Sequence, residues 1–216
     1  MRHPSIITLL ITFIMANTVL PAFSIIKSGI KYSIPIDYEK FSEEELEERA
    51  SVYYFNAQNS LDNKINTNMT NALVLYTILQ NKNPEKTSYA VKLGILYDKI
   101  NEERYAKGNF SRAIKTDSSR PEAYYYFGEF YYKREDYRKA LTYFKQAYKK
   151  GFDKNYDLLY RMGDIYEKFG DTRSALKYLK DAQNQNPNPE LENKIKRIEA
   201  SDLTNKEFYS NTRIRG

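Results

Sequence analysis

The sequence has no cysteine and no tryptophan, and its single histidine, His3, stands at the extreme amino end. Without cysteine there is no disulfide framework, no thiol nucleophile and no lipid attachment through an amino-terminal Cys. With the one histidine in a leader segment, the common nucleophile–base pairs and the Cys/His zinc sites cannot be assembled. No run of alternating apolar and polar residues marks a strand, so no glycine-rich phosphate loop can follow one. Carboxylate pairs do occur, such as Glu102-Glu103 and Asp164 with Glu167. On a helical chain these read as solvated faces rather than acid–base dyads. The chain is therefore expected to be no enzyme, with no metal and no cofactor.

What is present points to a soluble helical protein. Charged residues make up 29% and hydrophobic residues 41% of the chain, with a net charge of +6. The basic residues are interleaved with acids: Lys133-Arg134 abuts Glu135-Asp136, and Lys180 abuts Asp181. The densest basic clusters, Lys149-Lys150 and Lys194 to Arg197, are short, and the interleaving of the rest argues for a solvated helical surface and against a nucleic-acid partner. The 21 tyrosines fit either a binding surface or a compositional bias shared with abundant Lys, Asn and Ile.

Residues 1–24 are organised as an export signal: Arg2, an apolar core from Ile6 to Leu20, Pro21, then small residues at Ala22 and Ser24. This predicts a periplasmic or extracellular mature chain starting near Ile25. The competing reading is an uncleaved anchor from Ser5 to Ile26, just long enough to span a bilayer. Residues 25–42 form an extended linker, with Ile34-Pro35-Ile36 disfavouring helix. Ser42 with Glu45 is a capping-box signature opening a helix from Glu43 to Lys64, and Thr70 to Gln80 predicts a second helix ended by Asn83-Pro84.

The rest is periodic. Gly94, Gly128 and Gly163 are 34 and 35 residues apart, and Ala72, Ala106, Ala140 and Ala175 follow at 34, 34 and 35. Ala113, Ala147 and Ala182 keep this step, as do Phe110, Phe144 and Leu179, and Tyr97, Tyr131 and Tyr166. Within one copy, Tyr124, Phe127, Gly128 and Tyr131 share one helix face, and Ala140, Phe144 and Ala147 share another. Small residues among large ones let two backbones approach while aromatic side chains fill the flanks. Pro121 suits a first helical position, and Asp136 is placed to cap the second helix.

On these columns the chain resembles the tetratricopeptide repeat family, whose unit is a 34-residue helix–turn–helix. The resemblance is strong over 87–187 and weak over 53–86, where Ser60 and Asn63 replace the glycine and tyrosine of the pattern. It implies an all-α, right-handed solenoid over residues 43–200: a divergent repeat 43–86, repeats 87–120, 121–154 and 156–189, and a closing helix 190–200. Leu191, Ile195 and Ile198 give that closing helix one apolar face. The extra residue in the 35-residue step is placed in the loop Gly151 to Asn155, and 201–216 is read as a flexible tail.

The resemblance also implies a concave groove lined by the first helix of each repeat. Carried onto matching columns, its residues are Val91, Ile95 and Asp98; Tyr125, Glu129 and Tyr132; and Tyr160, Asp164 and Glu167. Lys99, Lys133 and Lys168 form a parallel column. The basic clamp by which some family members hold acidic chaperone tails is absent from these columns. Tyrosine beside carboxylate predicts a protein or peptide segment carrying Lys or Arg near aromatic or aliphatic residues. The expected function is a non-catalytic exported scaffold or adaptor. The alternative is a structural or assembly subunit of a cell-envelope complex, docking through its ends or convex face.

Overall fold

The computed structural model describes residues 40–60 and 66–213, without the side chains of 205–213. The expected signal, residues 25–39 of the linker and residues 61–64 of the first helix lie outside the described residues. Among the described residues there are nine α-helices and no strand. They are α1 (Glu43–Asn59), α2 (Thr67–Lys82), α3 (Thr87–Lys99), α4 (Glu103–Thr116), α5 (Pro121–Tyr132), α6 (Tyr137–Ala147), α7 (Tyr156–Lys168), α8 (Thr172–Gln185) and α9 (Pro189–Arg213). None is long and apolar enough to cross a membrane. The chain divides into two compact units, one ending at Asp117 and the other beginning at Ser118.

Local sequence explains where the helices begin. Ser42 and Glu45 form a reciprocal capping box on α1. Asn66, Asp136, Asn155 and Asp171 each accept a hydrogen bond from the backbone N–H three residues on, opening α2, α6, α7 and α8. Pro121 and Pro189 occupy first helical positions, where a missing N–H costs nothing.

The turn inside each clear repeat is equally regular. Asn101, Glu135 and Gly170 occupy one column and all adopt positive φ, at 60°, 58° and 76°. The next residue's N–H then reaches back to the tyrosine-column carbonyl: Glu102 to Tyr97, Asp136 to Tyr131 and Asp171 to Tyr166, at 2.9–3.1 Å. This left-handed cap satisfies carbonyls that a helix end otherwise leaves orphaned.

In the first unit, Leu46, Ala50 and Ala57 turn inward from α1. The α2 segment from Met69 to Tyr76 is buried around its whole girth, as expected for a run with few polar residues on any face. Tyr89 donates its hydroxyl to Glu43 at 2.8 Å, tying α3 back to α1. Lys99 donates to the carbonyl oxygens of Gln58 at 2.6 Å and Ser60 at 3.0 Å. The ammonium therefore closes the carboxy-terminal end of α1, where the helix dipole favours a cation.

In the second unit, Phe127, Phe130, Phe144, Leu158, Leu159 and Met162 are buried between first and second helices. The tyrosine column packs as well: Tyr131 stacks on Tyr143 and Tyr166 on Tyr178, each with centroids 5.5 Å apart. Leu191, Ile195 and Ile198 of α9 close the stack against Leu159, Leu179 and Ala182. Two details differ from the sequence reading. The extra residue is absorbed in a wide π-helical turn, Tyr148–Phe152, that continues α6 and is unwound at Gly151, with φ 116°. And α9 runs on to Arg213 rather than ending at Ala200 in a flexible tail; no proline or glycine interrupts it before Gly216.

Candidate functional site

The first helices of the second unit, α5, α7 and α9, each begin with the same register, so equal positions can be compared along them. The fifth positions are Tyr125, Tyr160 and Asn193; the sixth are Tyr126, Arg161 and Lys194; the ninth are Glu129, Asp164 and Arg197. Tyr125, Glu129, Tyr132, Tyr160, Asp164 and Glu167 all lie in these first helices.

The acids are joined to bases of the following first helix. Arg161 donates to both carboxylate oxygens of Glu129, through Nε at 2.9 Å and Nη2 at 3.4 Å. Lys194 bridges Asp164 at 2.9 Å and Glu167 at 2.8 Å. The Tyr132 hydroxyl donates to the other oxygen of Asp164 at 2.6 Å. The cations also cover the tyrosines: the Arg161 guanidinium lies 4.5 Å from the Tyr132 centroid, and Lys194 lies 5.1 Å from that of Tyr160. The result is a ladder that links α5 to α7 and α7 to α9 through charge-assisted hydrogen bonds.

Burial and pairing compete in setting the protonation of this ladder. Burial raises the Asp164 carboxyl, but the Tyr132 hydroxyl and the Lys194 and Lys168 ammonium groups outweigh it and hold the pKa below the ordinary value. Burial lowers Lys194, and its bonds to Glu167 and Asp164 more than reverse that. Desolvation, reinforced by the bond to Asp164, pushes Tyr132 up to about 12. Asp164 and Lys194 are thus a stable ion pair through the neutral range, not an exchanging acid and base.

This changes what the face can recognise. The side chains of Glu129 and Asp164 are each only 14% exposed and already paired. They are not open receptors for a partner's lysine or arginine. The tyrosines divide as well: Tyr125 packs against Phe144 and Phe152, with centroids 6.0 and 5.9 Å away. Tyr126, which the column transfer omitted, is exposed beside it, with ring centroids 5.1 Å apart. Tyr160 is half-buried and stacks on Tyr156. In the first unit, Val91 and Asp98 are buried and only Ile95 is partly exposed, so that part of the predicted lining is core. Among the described residues, no group of His, Cys, Asp or Glu could hold a metal ion.

Arg161 and Lys194 are the residues that column transfer missed. Both occupy the sixth position of their helices, although the steps between helix starts are 35 residues (Pro121 to Tyr156) and then 33 (Tyr156 to Pro189). The transferred columns are the fifth, ninth and twelfth positions and stop before the closing helix, so the sixth position is passed over in each.

Two sequence profiles, each described as tetratricopeptide repeat, match residues 92–155 and 131–198. Among curated proteins, no sequence matches the chain. Among solved structures it is similar to YrrB, described as a TPR protein with an unusual peptide-binding site, at 31% identity and a TM-score of 0.50. That likeness covers 53% of this chain and 58% of YrrB, so the chain spans less than two thirds of that relative. It is also similar to PilF of Pseudomonas aeruginosa, at 16% identity and a TM-score of 0.58, over 78% of this chain and 74% of PilF. MamA of AMB-1 matches at 15% identity and a TM-score of 0.56, over 79% of this chain and 87% of MamA. PilF and MamA share the fold, an all-α solenoid of helix–turn–helix repeats.

Proposed function

We propose, from the premise that this chain belongs to the tetratricopeptide repeat family, that it is a non-catalytic scaffold or adaptor. Its partner is a protein or peptide segment, held on the first-helix face of the second unit. The chain is exported, with residues 1–24 as its cleaved signal. The contacts come from Tyr126 and the exposed edges of Tyr125, Tyr132 and Tyr160. Glu129, Asp164 and Glu167 act from beneath, locked to Arg161 and Lys194, as the frame that fixes those rings. Tyrosine suits the task because it offers a large rigid surface with a hydrogen-bonding tip and few torsions to freeze.

The observation that carries this reading is the ladder itself. Three first helices are tied by charge-assisted bonds on one face, with partly exposed tyrosines held among them. Such pre-ordering lowers the entropy cost of binding. The peptide-binding site attributed to YrrB is a further support for a peptide or protein partner.

The test is to place a photocrosslinking phenylalanine analogue at Tyr126 or Tyr160, and at Gln146 or Asn184 on the second helices, in the cell that makes the protein. Adducts with one defined partner from positions 126 and 160 alone are expected. The same partner captured only from 146 and 184 would overturn the reading and favour a structural subunit that docks through its second-helix face.

A further inference from the structure

Charge in the two repeats of the second unit, α5–α6 and α7–α8, is sorted by helix. The first helices α5 and α7 together carry five acids against two bases. The second helices α6 and α8 carry the opposite balance, six bases against one acid, and residues 148–155 after α6 add three bases and one acid. In the linear sequence the signs interleave because first and second helices alternate, and the fold separates them.

Some of these cations are spent. Lys139 pairs with Asp136 at 2.7 Å, Lys180 pairs with Glu199 at 2.6 Å, and Lys150 is half-buried over Tyr124. Arg138, Lys145, Lys149, Lys154, Arg173 and Lys177 are exposed and stand in no ion pair among the described residues, although Lys145 lies 5.5 Å over the Tyr166 ring and Lys177 5.1 Å over that of Tyr178. Arg138, Lys145 and Lys149 recur at seven and four residues along α6 and its wide last turn, which puts them on one helix face. Arg173 and Lys177 do the same on α8. The ring of Tyr148 meets that of Tyr178 at 5.9 Å, which sets the end of α6 beside α8. From Arg138 to Lys149 the helix advances about 16 Å at ~1.5 Å per residue. The spacings between neighbouring charges are therefore close to the Debye length of ~8 Å at physiological salt, and their fields add.

We propose that this second-helix face is a docking surface for an anionic lipid surface. Charge complementarity is one argument, since several clustered Lys and Arg side chains suffice to hold a protein on acidic headgroups. Another is that the rings on this face are engaged with other rings instead of being offered for bases to stack on. Its tyrosines, Tyr143 and Tyr178, are stacked on Tyr131 and Tyr166 rather than presented to bases. The proposal does not depend on partner binding by the first-helix face.

The experiment is sedimentation of the full chain with vesicles of phosphatidylcholine alone, or of phosphatidylcholine and phosphatidylglycerol in about equal amounts. We expect at least tenfold tighter binding to the anionic vesicles, lost in ~0.5 M salt. The exposed triple change Arg138→Glu, Lys149→Glu, Arg173→Glu should remove that preference, and so should the pair Lys154→Glu, Lys177→Glu. Helicity should be unchanged in both. The chain beginning at Ile25, the mature form proposed above, is run beside the full chain so that insertion of the apolar leader into both vesicle types cannot mask the difference. Equal binding to both vesicle types, or a preference that survives both charge reversals in folded protein, overturns the proposal. So does salt-sensitive capture of a single-stranded oligonucleotide without vesicle binding, which would make the face a nucleic-acid surface.

Discussion

Gly128 lies so close to Phe144 that a Cβ added at position 128 would stand 2.5 Å from the Cδ1 and Cε1 atoms of the ring. The same approach recurs between Gly94 and Phe110 and between Gly163 and Leu179, both at 2.6 Å. Phe144 is fully buried, so its ring has no free volume into which to retreat. Gly128→Ala should therefore cost about 1–3 kcal/mol and Gly128→Leu more. Phe144→Ala should cost about 3–5 kcal/mol. Against a typical stability of ~5–15 kcal/mol, urea denaturation will resolve each. Variants that unfold with the parent would show that this contact does not hold the repeat.

Glu135 supports a prediction of opposite sign. It sits at φ 58° in a column where Gly170 takes 76°. A left-handed residue with a Cβ costs roughly 1–2 kcal/mol. Part of that gain is returned through the greater freedom of glycine in the unfolded chain. Glu135→Gly should thus stabilise by about 0.5–1 kcal/mol, and Gly170→Ala should destabilise. A thermal melt of each variant checks both signs.

Lys99 and Lys168 share one column of the repeat but not one role. Lys99 donates to two carbonyls at the end of α1, whereas Lys168 makes a long contact with Asp164, at 3.8 Å, and lies 5.3 Å over the Tyr137 ring. Lys99→Met should cost about 1–2 kcal/mol. Lys168→Met should change stability by less than ~0.5 kcal/mol, as for exposed pairs generally. Equal effects of the two substitutions would contradict the capping role.

The Asp164 ladder predicts an acid-side dependence. Its folded pKa is depressed, so the stabilisation is fully present above the ordinary aspartate pKa of ~3.9 and is lost as pH falls through the lower folded value. Replacing Asp164 by Asn should flatten the stability profile below about pH 4. It should also show coupling with Lys194→Met of about 1 kcal/mol or more in a double-mutant cycle. Additive effects would mean that the pair is not energetically joined.

Much of this architecture could be read from residue types alone. Gly, Ala and aromatic columns at a fixed step imply helix pairs because only close backbone approach explains their alternation of small and large. Ser42, Asp136 and Pro121 mark helix starts by chemistry that needs no tertiary context. The ladder was hidden for a geometric reason: Glu129 and Arg161 are 32 residues apart, and Asp164 and Lys194 are 30. Neither separation is the repeat period, because each pair joins the ninth position of one first helix to the sixth position of the next. The role of Lys99 was hidden because its acceptors are backbone carbonyls, which no side-chain pattern reveals. The separation of charge between first and second helices was obscured by its alternation along the chain.

The central claim is that the first-helix face of the second unit binds the partner. Its most direct test is the affinity of the full chain for the partner identified by crosslinking, measured by calorimetry beside the double variant Tyr126→Ala, Tyr160→Ala. Neither ring is fully buried, so the melting temperature should hold nearly constant. The account predicts at least a tenfold loss of affinity, or ~1.4 kcal/mol. Undiminished affinity in a variant that melts with the parent would contradict it.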